Sequence, residues 1–342
     1  MNTQNIQAAP RALIKTPRIC TFVTTYKCTS ACNNCCFQCS PYGKHSLTKQ
    51  QMVNYLMQIK RDFPSIRLLV LTGGECTILP YISEIIELAS HHFNLKVRIV
   101  TNAHWAKSYK HALSIIKKWK IAGLSEINYS TGDEHLEYVP FINIKNAIIA
   151  SIEEGMTPFI NIESADGHKF NNMYFIKDNT LSSFILQNKL IIANGLWINF
   201  KDEEKLMHKS NDIIYPPHQR CNNILNGITI TPDNRMKTCC GLVSRYTKFL
   251  DIGNAHKYSL RQLYDNQFYD FVKIWLHTEG PYNILKYIYQ YDKDINPEDY
   301  HHLHQCLICA MILNNQEILR IIQQHYKDIY NRIIMEYYVL QS

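Results

Sequence analysis

The chain has 342 residues, of which 46% are hydrophobic and 19% charged, an ordinary globular composition that fills one large domain or two smaller ones. No apolar run approaches the ~20 residues of a membrane span, and Met1–Pro10 lacks the apolar core of a signal peptide, so a cytoplasmic protein with no membrane contact is expected. The net charge of +7 includes no long basic run, which disfavours nucleic acid and suits an acidic peptide or a phosphorylated substrate equally well.

Residues 1–18, broken by Pro10 and Pro17, read as an N-terminal arm. From Ile19 to about Phe200, strand-like runs alternate with helical patterns, the signature of βα units around a parallel sheet. Strands are predicted at Ile19–Thr25, Ile66–Thr72, Leu95–Thr101, Glu126–Ser130, Pro158–Glu163 and Leu190–Asn199. Helices are predicted at Thr48–Arg61, Tyr81–His92, Lys107–Ile121 and Phe141–Glu154. Thr48 and Ser83 suit helix starts, and Gly123 and Gly155 helix stops. A fifth helical segment, between Ser164 and Asn188, is only faintly patterned.

Twelve cysteines without a signal peptide point to a reducing compartment and metal ligation rather than disulfides. Five stand in the loop after the first strand. Cys28, Cys32 and Cys35 have the spacing C-x3-C-x2-C, which lets three thiolates reach three irons of a 4Fe–4S cube and leaves the fourth iron open. Cys32, Cys36 and Cys39 repeat that spacing, so the cysteines alone leave two registers open; the nearness of Cys28 to the strand favours the first. A zinc site completed by Cys39 or His45 is the alternative. The second strand ends in Gly73-Gly74-Glu75, where glycines admit close approach of the backbone to a ligand and the carboxylate can accept from an ammonium group.

On these residues the sequence resembles the radical S-adenosylmethionine (SAM) superfamily: Cys28, Cys32 and Cys35 match its cluster motif, and Gly73, Gly74 and Glu75 the motif that holds the methionine amino group. The resemblance implies a partial (β/α)6 barrel, SAM on the open iron of a 4Fe–4S cluster, an electron donor such as flavodoxin or ferredoxin, and a 5′-deoxyadenosyl radical that abstracts a substrate hydrogen. One departure is Asn34, where the family usually has an aromatic residue beside the adenine. Ligands of parallel α/β barrels sit at the C-terminal strand ends. Asn102, ending the third strand, is therefore a candidate contact for substrate or SAM. Ser130, and with it Asp133 in the run Ser130–His135, is assigned to SAM by analogy with the family. Asn161 and Glu163 are placed near the ribose or the methionine carboxylate. For each, a polar side chain satisfied by loop backbone is the competing explanation.

After Phe200 the composition changes, with charged Lys201–Ser210 and the break Tyr215-Pro216-Pro217. A hairpin over Gly227–Cys239, turning at Asp233-Asn234, delivers Cys239 towards Cys221, and Cys306-x2-Cys309 supplies two more thiolates for a closed 4Fe–4S site. This arrangement resembles the twitch domain, the short form of the SPASM auxiliary-cluster domain, with Asn234 at a turn position the family gives to glycine. Leu250–Phe268 resembles its helix-initiating stretch. One auxiliary cluster is expected, with zinc on the same cysteines as the alternative. Cys76, which follows Gly-Gly-Glu, and Cys240 are candidate hydrogen-atom donors or simple packing residues. His91–His92 and His301, His302 and His304 read as a helix end and a loop, and Met311–Tyr338 as a final helix packed on the barrel. The divisions expected are an arm at 1–18, a barrel at 19–210, an auxiliary domain at 211–311 and a C-terminal helix at 312–342. Three functions fit: a maturase of a ribosomally made peptide (crosslinking, epimerising or oxidising), a dehydrogenase of a small alcohol or sugar-like metabolite, or a non-catalytic zinc-binding interaction protein.

Overall fold

The computed structural model describes residues 14–164, 167–196 and 220–340. These fall into two compact units. The N-terminal unit comprises residues 19–164 and 167–196 with Ile230–Asp233, and the C-terminal unit residues 14–18, 220–229 and 234–340. The predicted strand end 197–199, the breaks at 201–210 and 215–217 and the 210/211 domain edge lie outside the described residues.

The N-terminal unit is built on six parallel strands: β1 (Ile19–Val23), β2 (Leu68–Thr72), β3 (Lys96–Thr101), β4 (Leu124–Thr131), β5 (Phe159–Ser164) and β6 (Ile191–Leu196). They lie in sequential order, each hydrogen-bonded in parallel to the next. This is the parallel α/β sheet that the alternation predicts, left unclosed as the expected partial barrel requires. Residues paired across parallel strands share a face. Leu69, Leu71, Val97, Ile99, Ile127, Tyr129, Ile160 and Ile162 are buried on one face, the face that meets helices: Phe22 packs edge-on to Tyr55, and the Tyr129 hydroxyl lies 2.8 Å from Ser151 Oγ. The opposite face carries Ser130 beside Asn161.

The helices follow their sequence signals. In α1 (Lys49–Asp62), Thr48 and Gln51 form a reciprocal capping box, and Met52, Tyr55, Leu56 and Ile59 bury one stripe. Next, α2 (Ile82–Glu87) runs into a π turn, Leu88–His92, and α3 (Tyr109–Ile121) is capped by Ser108. Ser83 sits in the first turn of α2, whose cap position is Tyr81. A short α4 (Asp133–Leu136) precedes α5 (Phe141–Glu153). The faint fifth segment is two short helices, α6 (Met173–Ile176) and α7 (Asn179–Leu186), because the Asp178 carboxylate accepts from the Thr180 and Leu181 N–H groups and starts a new helix.

The C-terminal unit takes up β7 (Gly227–Ile230) as far as Thr229, and β8 (Arg235–Lys237), with Asn234 of the predicted turn at φ +58. Inside Leu250–Phe268, a third strand, β9 (Asp251–Asn254), pairs antiparallel with β8 before α8 (Leu260–Asn266) begins at the Ser259 cap. Asp251 holds that pairing through both Arg235 and Lys237. Further on come α9 (Phe271–Thr278), buried at every position, α10 (Pro281–Ile288), α11 (Gln305–Asn314), α12 (Gln316–His325) and α13 (Lys327–Val339). The single helix predicted over Met311–Tyr338 is thus corrected to three segments. At Asn315 the backbone leaves the helical region, and its side chain caps α12 through the Glu317 and Ile318 N–H groups. Of the predicted arm, residues 14–18 pack on this unit: Arg18 N–H donates to Asn226 O, and the Tyr264 hydroxyl to Lys15 O. No helix among the described residues is long and apolar enough to cross a membrane.

Candidate active site

The cysteine loop leaves β1 and is tied back onto it. Tyr26 N–H donates to His45 O, Cys28 N–H to Ser40 O and Leu47 N–H to Thr24 O. Within it, Cys39 is buried with Val23, Tyr26 and Phe37, and Cys28, Cys35 and Cys36 pack against that group. Burial pushes the Cys28 thiol up to about 12, helped by the charges of Glu75 and Cys35. Burial also raises Cys32, which feels Cys35, Glu163 and Cys28. Cys35 is pulled the other way, to about 6, chiefly by a hydrogen bond from the Cys39 thiol, with burial opposing and the Cys39 and Phe37 N–H groups assisting. The loop therefore brings Cys28, Cys32 and Cys35 into mutual electrostatic reach, with one of them ready to be a thiolate. As placed, no three His, Cys, Asp or Glu side chains among the described residues converge on a single metal ion.

Glu75 ends the next connection and is fully buried. Gly74 makes this possible: a Cβ there would lie 2.2 Å from Lys27 O, so only glycine lets the Gly74 N–H reach Thr25 O and the Glu75 N–H reach Lys27 O. The carboxylate accepts from Thr77 Oγ1 (2.7 Å), Thr101 Oγ1 (2.9 Å) and Thr77 N (3.2 Å) on Oε1, and from Asn102 N (2.8 Å) on Oε2. Asn102 also reaches the cysteine loop, with Nδ2 at 3.0 Å from Thr29 Oγ1, 3.2 Å from Ser30 Oγ and 3.9 Å from Cys28 Sγ. A cavity of about 530 Å³ opens beside Cys28, lined by Lys27, Thr29, Ser46, Ile78 and Leu79 among others, a volume in the range of small-molecule sites.

The β4 and β5 ends hold a second polar group. Glu163, 2% exposed, accepts from the Glu134 N–H and Asn34 Nδ2 on Oε1 and faces His135 Nδ1 across 3.3 Å on Oε2. Gly132 admits this side chain, since a Cβ there would lie 2.1 Å from Glu163 Cγ. Glu134 in turn accepts from the Asn33 N–H on its carboxylate and faces the Cys32 thiol with its carbonyl, so the Cys32–Cys35 half of the loop is anchored to this turn. Asn34 Oδ1 is buried with no hydrogen-bond partner among the described residues. Asp133 points elsewhere: its two oxygens accept from the Lys169 and Phe170 N–H groups. Ser130 and Asn161 stand side by side, half-buried, on the face that Glu163 shares. Cys76 is fully buried, and its thiol donates to the Leu71 and Val100 carbonyls. Thr77, Thr101 and His135 are the contributors that sequence reading did not single out. The signal was there in part, since Thr101 precedes Asn102 and Thr77 stands two residues after Glu75, where a side-chain turn is natural.

The C-terminal unit gathers its own cysteines. Burial raises Cys221, Cys239, Cys306 (to about 12) and Cys309, and the last three also feel the charge of Cys221. A Cβ on Gly241 would lie 3.5 Å from Cys306 Sγ and 3.7 Å from Cys239 Sγ. Cys240, by contrast, is exposed. The four thiols come from three segments and lie within electrostatic reach of one another, although, as placed, no three of them converge on a single metal ion.

Residues 22–153 match the family model of the Radical SAM superfamily, so the N-terminal unit carries a Radical SAM domain. Among solved structures, native anSMEcpe with bound AdoMet is 11% identical, with 75% of this chain and 84% of that chain covered and a TM-score of 0.51. Native anSMEcpe with bound AdoMet and Cp18Cys peptide gives 10%, 75%, 83% and 0.50, and BtrN in complex with AdoMet and 2-DOIA gives 10%, 77%, 88% and 0.46. The likeness to the two anSMEcpe structures is one of fold. No curated protein sequence matches the chain.

Proposed function

We propose that this chain, built on a Radical SAM domain over residues 22–153, is an enzyme that binds a 4Fe–4S cluster through Cys28, Cys32 and Cys35 and SAM beside it. Its substrate in this reading is a ribosomally made peptide, which it crosslinks, epimerises or oxidises. The observation that carries the proposal is the joining of the cysteine loop to the Glu75 carboxylate through Asn102, beside a cavity at Cys28. Together, when bound, the cluster and SAM supply a 5′-deoxyadenosyl radical that takes a hydrogen atom from the substrate.

The chain's own residues prepare that event. An ionised carboxylate has about four acceptor positions, and Oε2 of Glu75 keeps one free for the SAM ammonium while Thr77, Thr101 and Asn102 fix its direction. Ser130 and Asn161 offer polar contacts on the open sheet face. Glu163 and Asp133 act as braces of the β4–α4 turn and the loop at Lys169. Cys39 serves as a donor to Cys35 rather than as a ligand, which favours the first register. In the C-terminal unit, Cys221, Cys239, Cys306 and Cys309 hold one auxiliary 4Fe–4S cluster, and a flavodoxin or ferredoxin supplies electrons. Cys76, bonded to strand carbonyls, is a packing residue; Cys240 keeps the exposure a hydrogen-atom donor needs.

Anaerobic reconstitution followed by iron and sulfide analysis, then dithionite and SAM, tests the reading. Formation of 5′-deoxyadenosine is expected, and stoichiometric zinc with no cluster absorbance would overturn it in favour of a zinc-binding interaction protein. Added peptides encoded by neighbouring genes should gain or lose mass in step with 5′-deoxyadenosine. Turnover of small alcohols with no peptide modified would replace the maturase with a dehydrogenase.

A further inference from the structure

We infer that Asn102 is a positioning residue that fixes the Cys28 end of the cysteine loop and donates a hydrogen bond to the Cys28 sulfur once that sulfur carries charge. The inference rests on the reading of Cys28 as a cluster ligand. Asn102 is tied on three sides. Its N–H donates to Glu75 Oε2 at 2.8 Å, its Oδ1 accepts from His104 N at 3.1 Å, and its Nδ2 faces the loop. At 5% exposure, with Oδ1 engaged, the amide can neither flip nor turn to water. Ala103 beside it is held at φ +58, a conformation that L-residues avoid and that persists where surrounding contacts impose it.

The two hydrogens on Nδ2 face three acceptors: Thr29 Oγ1, Ser30 Oγ and, at 3.9 Å, Cys28 Sγ. A neutral thiol is a weak acceptor, which fits the long third contact. A ligating thiolate is a strong one and competes with the two hydroxyls for a hydrogen. Hydrogen bonds to cluster sulfurs stabilise the more negative, reduced state and so raise the reduction potential. The hydroxyls of Thr29 and Ser30 act as competitors in this scheme, and their removal turns the donor fully towards sulfur.

An EPR-monitored redox titration of the reconstituted full-length chain tests this through opposed signs. Asn102→Ala is expected to retain its iron and shift the midpoint potential of the SAM-site cluster downwards. The double substitution Thr29→Val with Ser30→Ala is expected to shift it upwards. A residue that merely braces the loop would lower cluster occupancy without producing opposite shifts, and that outcome overturns the inference. If Asn102→Ala assembles no cluster, the double variant decides alone: an unchanged or lower potential refutes the donor role. A wild-type protein with no cluster signal at all would instead remove the underlying reading of Cys28.

Discussion

Replacing Glu75 by Gln removes one charge at constant shape in the most constrained part of the site. The carboxylate has three donors on Oε1 and one on Oε2. A glutamine that keeps its oxygen towards the Asn102 N–H must turn its NH₂ towards Thr77 and Thr101. The two hydroxyls can reverse and accept, though Thr101 Oγ1 already receives the Ala103 N–H and Trp105 Nε1, whereas the Thr77 N–H is left facing another donor. One charge-assisted bond to the fold is lost, which costs roughly 1.5–3 kcal/mol, partly offset because a buried charge no longer has to be desolvated. The SAM ammonium loses a contact of the same class, so its affinity should fall on the order of 10- to 100-fold. Equilibrium binding of SAM by protein of wild-type iron content, alongside a urea melt, separates the two losses. Affinity within twofold of wild type together with a lowered urea midpoint would make Glu75 a structural brace and refute its role as a SAM clamp.

Other outcomes follow from the same geometry. Cys28→Ala, Cys32→Ala and Cys35→Ala should each abolish 5′-deoxyadenosine formation, while Cys36→Ala and Cys39→Ala keep it; activity in Cys28→Ala with loss in Cys39→Ala would select the other register. Cys221→Ala or Cys309→Ala should bind about half the iron yet still cleave SAM, and unchanged iron content would eliminate the auxiliary cluster. Gly74→Ala should destabilise the N-terminal unit by roughly 3 kcal/mol or more, because its Cβ meets the Lys27 carbonyl. Gly155→Ala, at φ +71 with nothing within 4 Å, should cost only about 1–2 kcal/mol; equal losses in the two urea melts would contradict this. Asn315→Ala should cost about 1 kcal/mol through loss of the α12 cap, and no change would show that the break there does not depend on the side chain.

The parallel sheet was legible because its strands are short runs of β-branched and apolar residues separated by helical patterns with a recognisable start, as at Thr48. Glu75 and the cysteines could be singled out as candidates because C-x3-C-x2-C and Gly-Gly-Glu each follow a strand, although the cysteine spacing leaves two registers open. What was hidden depends on tertiary partners. The side chains that hold Glu75 come from Thr77 and Thr101, and no local pattern says that β3 ends against the Gly-Gly-Glu turn. Asp133 and Glu163 look equally available in sequence, yet both are taken up by backbone N–H groups in the fold. The C-terminal helices misled because apolar periodicity runs through Asn315, while the amide that interrupts it competes with the backbone only once the turn has formed.

The cross-links between residues 24–28 and 40–47 bear on how the protein is loaded. A free loop of about this length loses roughly 2 kcal/mol of chain entropy when its ends are joined, and here hydrogen bonds among protein groups alone join them. Those bonds offset part of that loss without calling on the thiols. A chain stripped by chelation is therefore expected to retain its far-UV spectrum and to regain iron without passing through the unfolded state, and loss of that spectrum on chelation would show that these bonds do not suffice to close the loop.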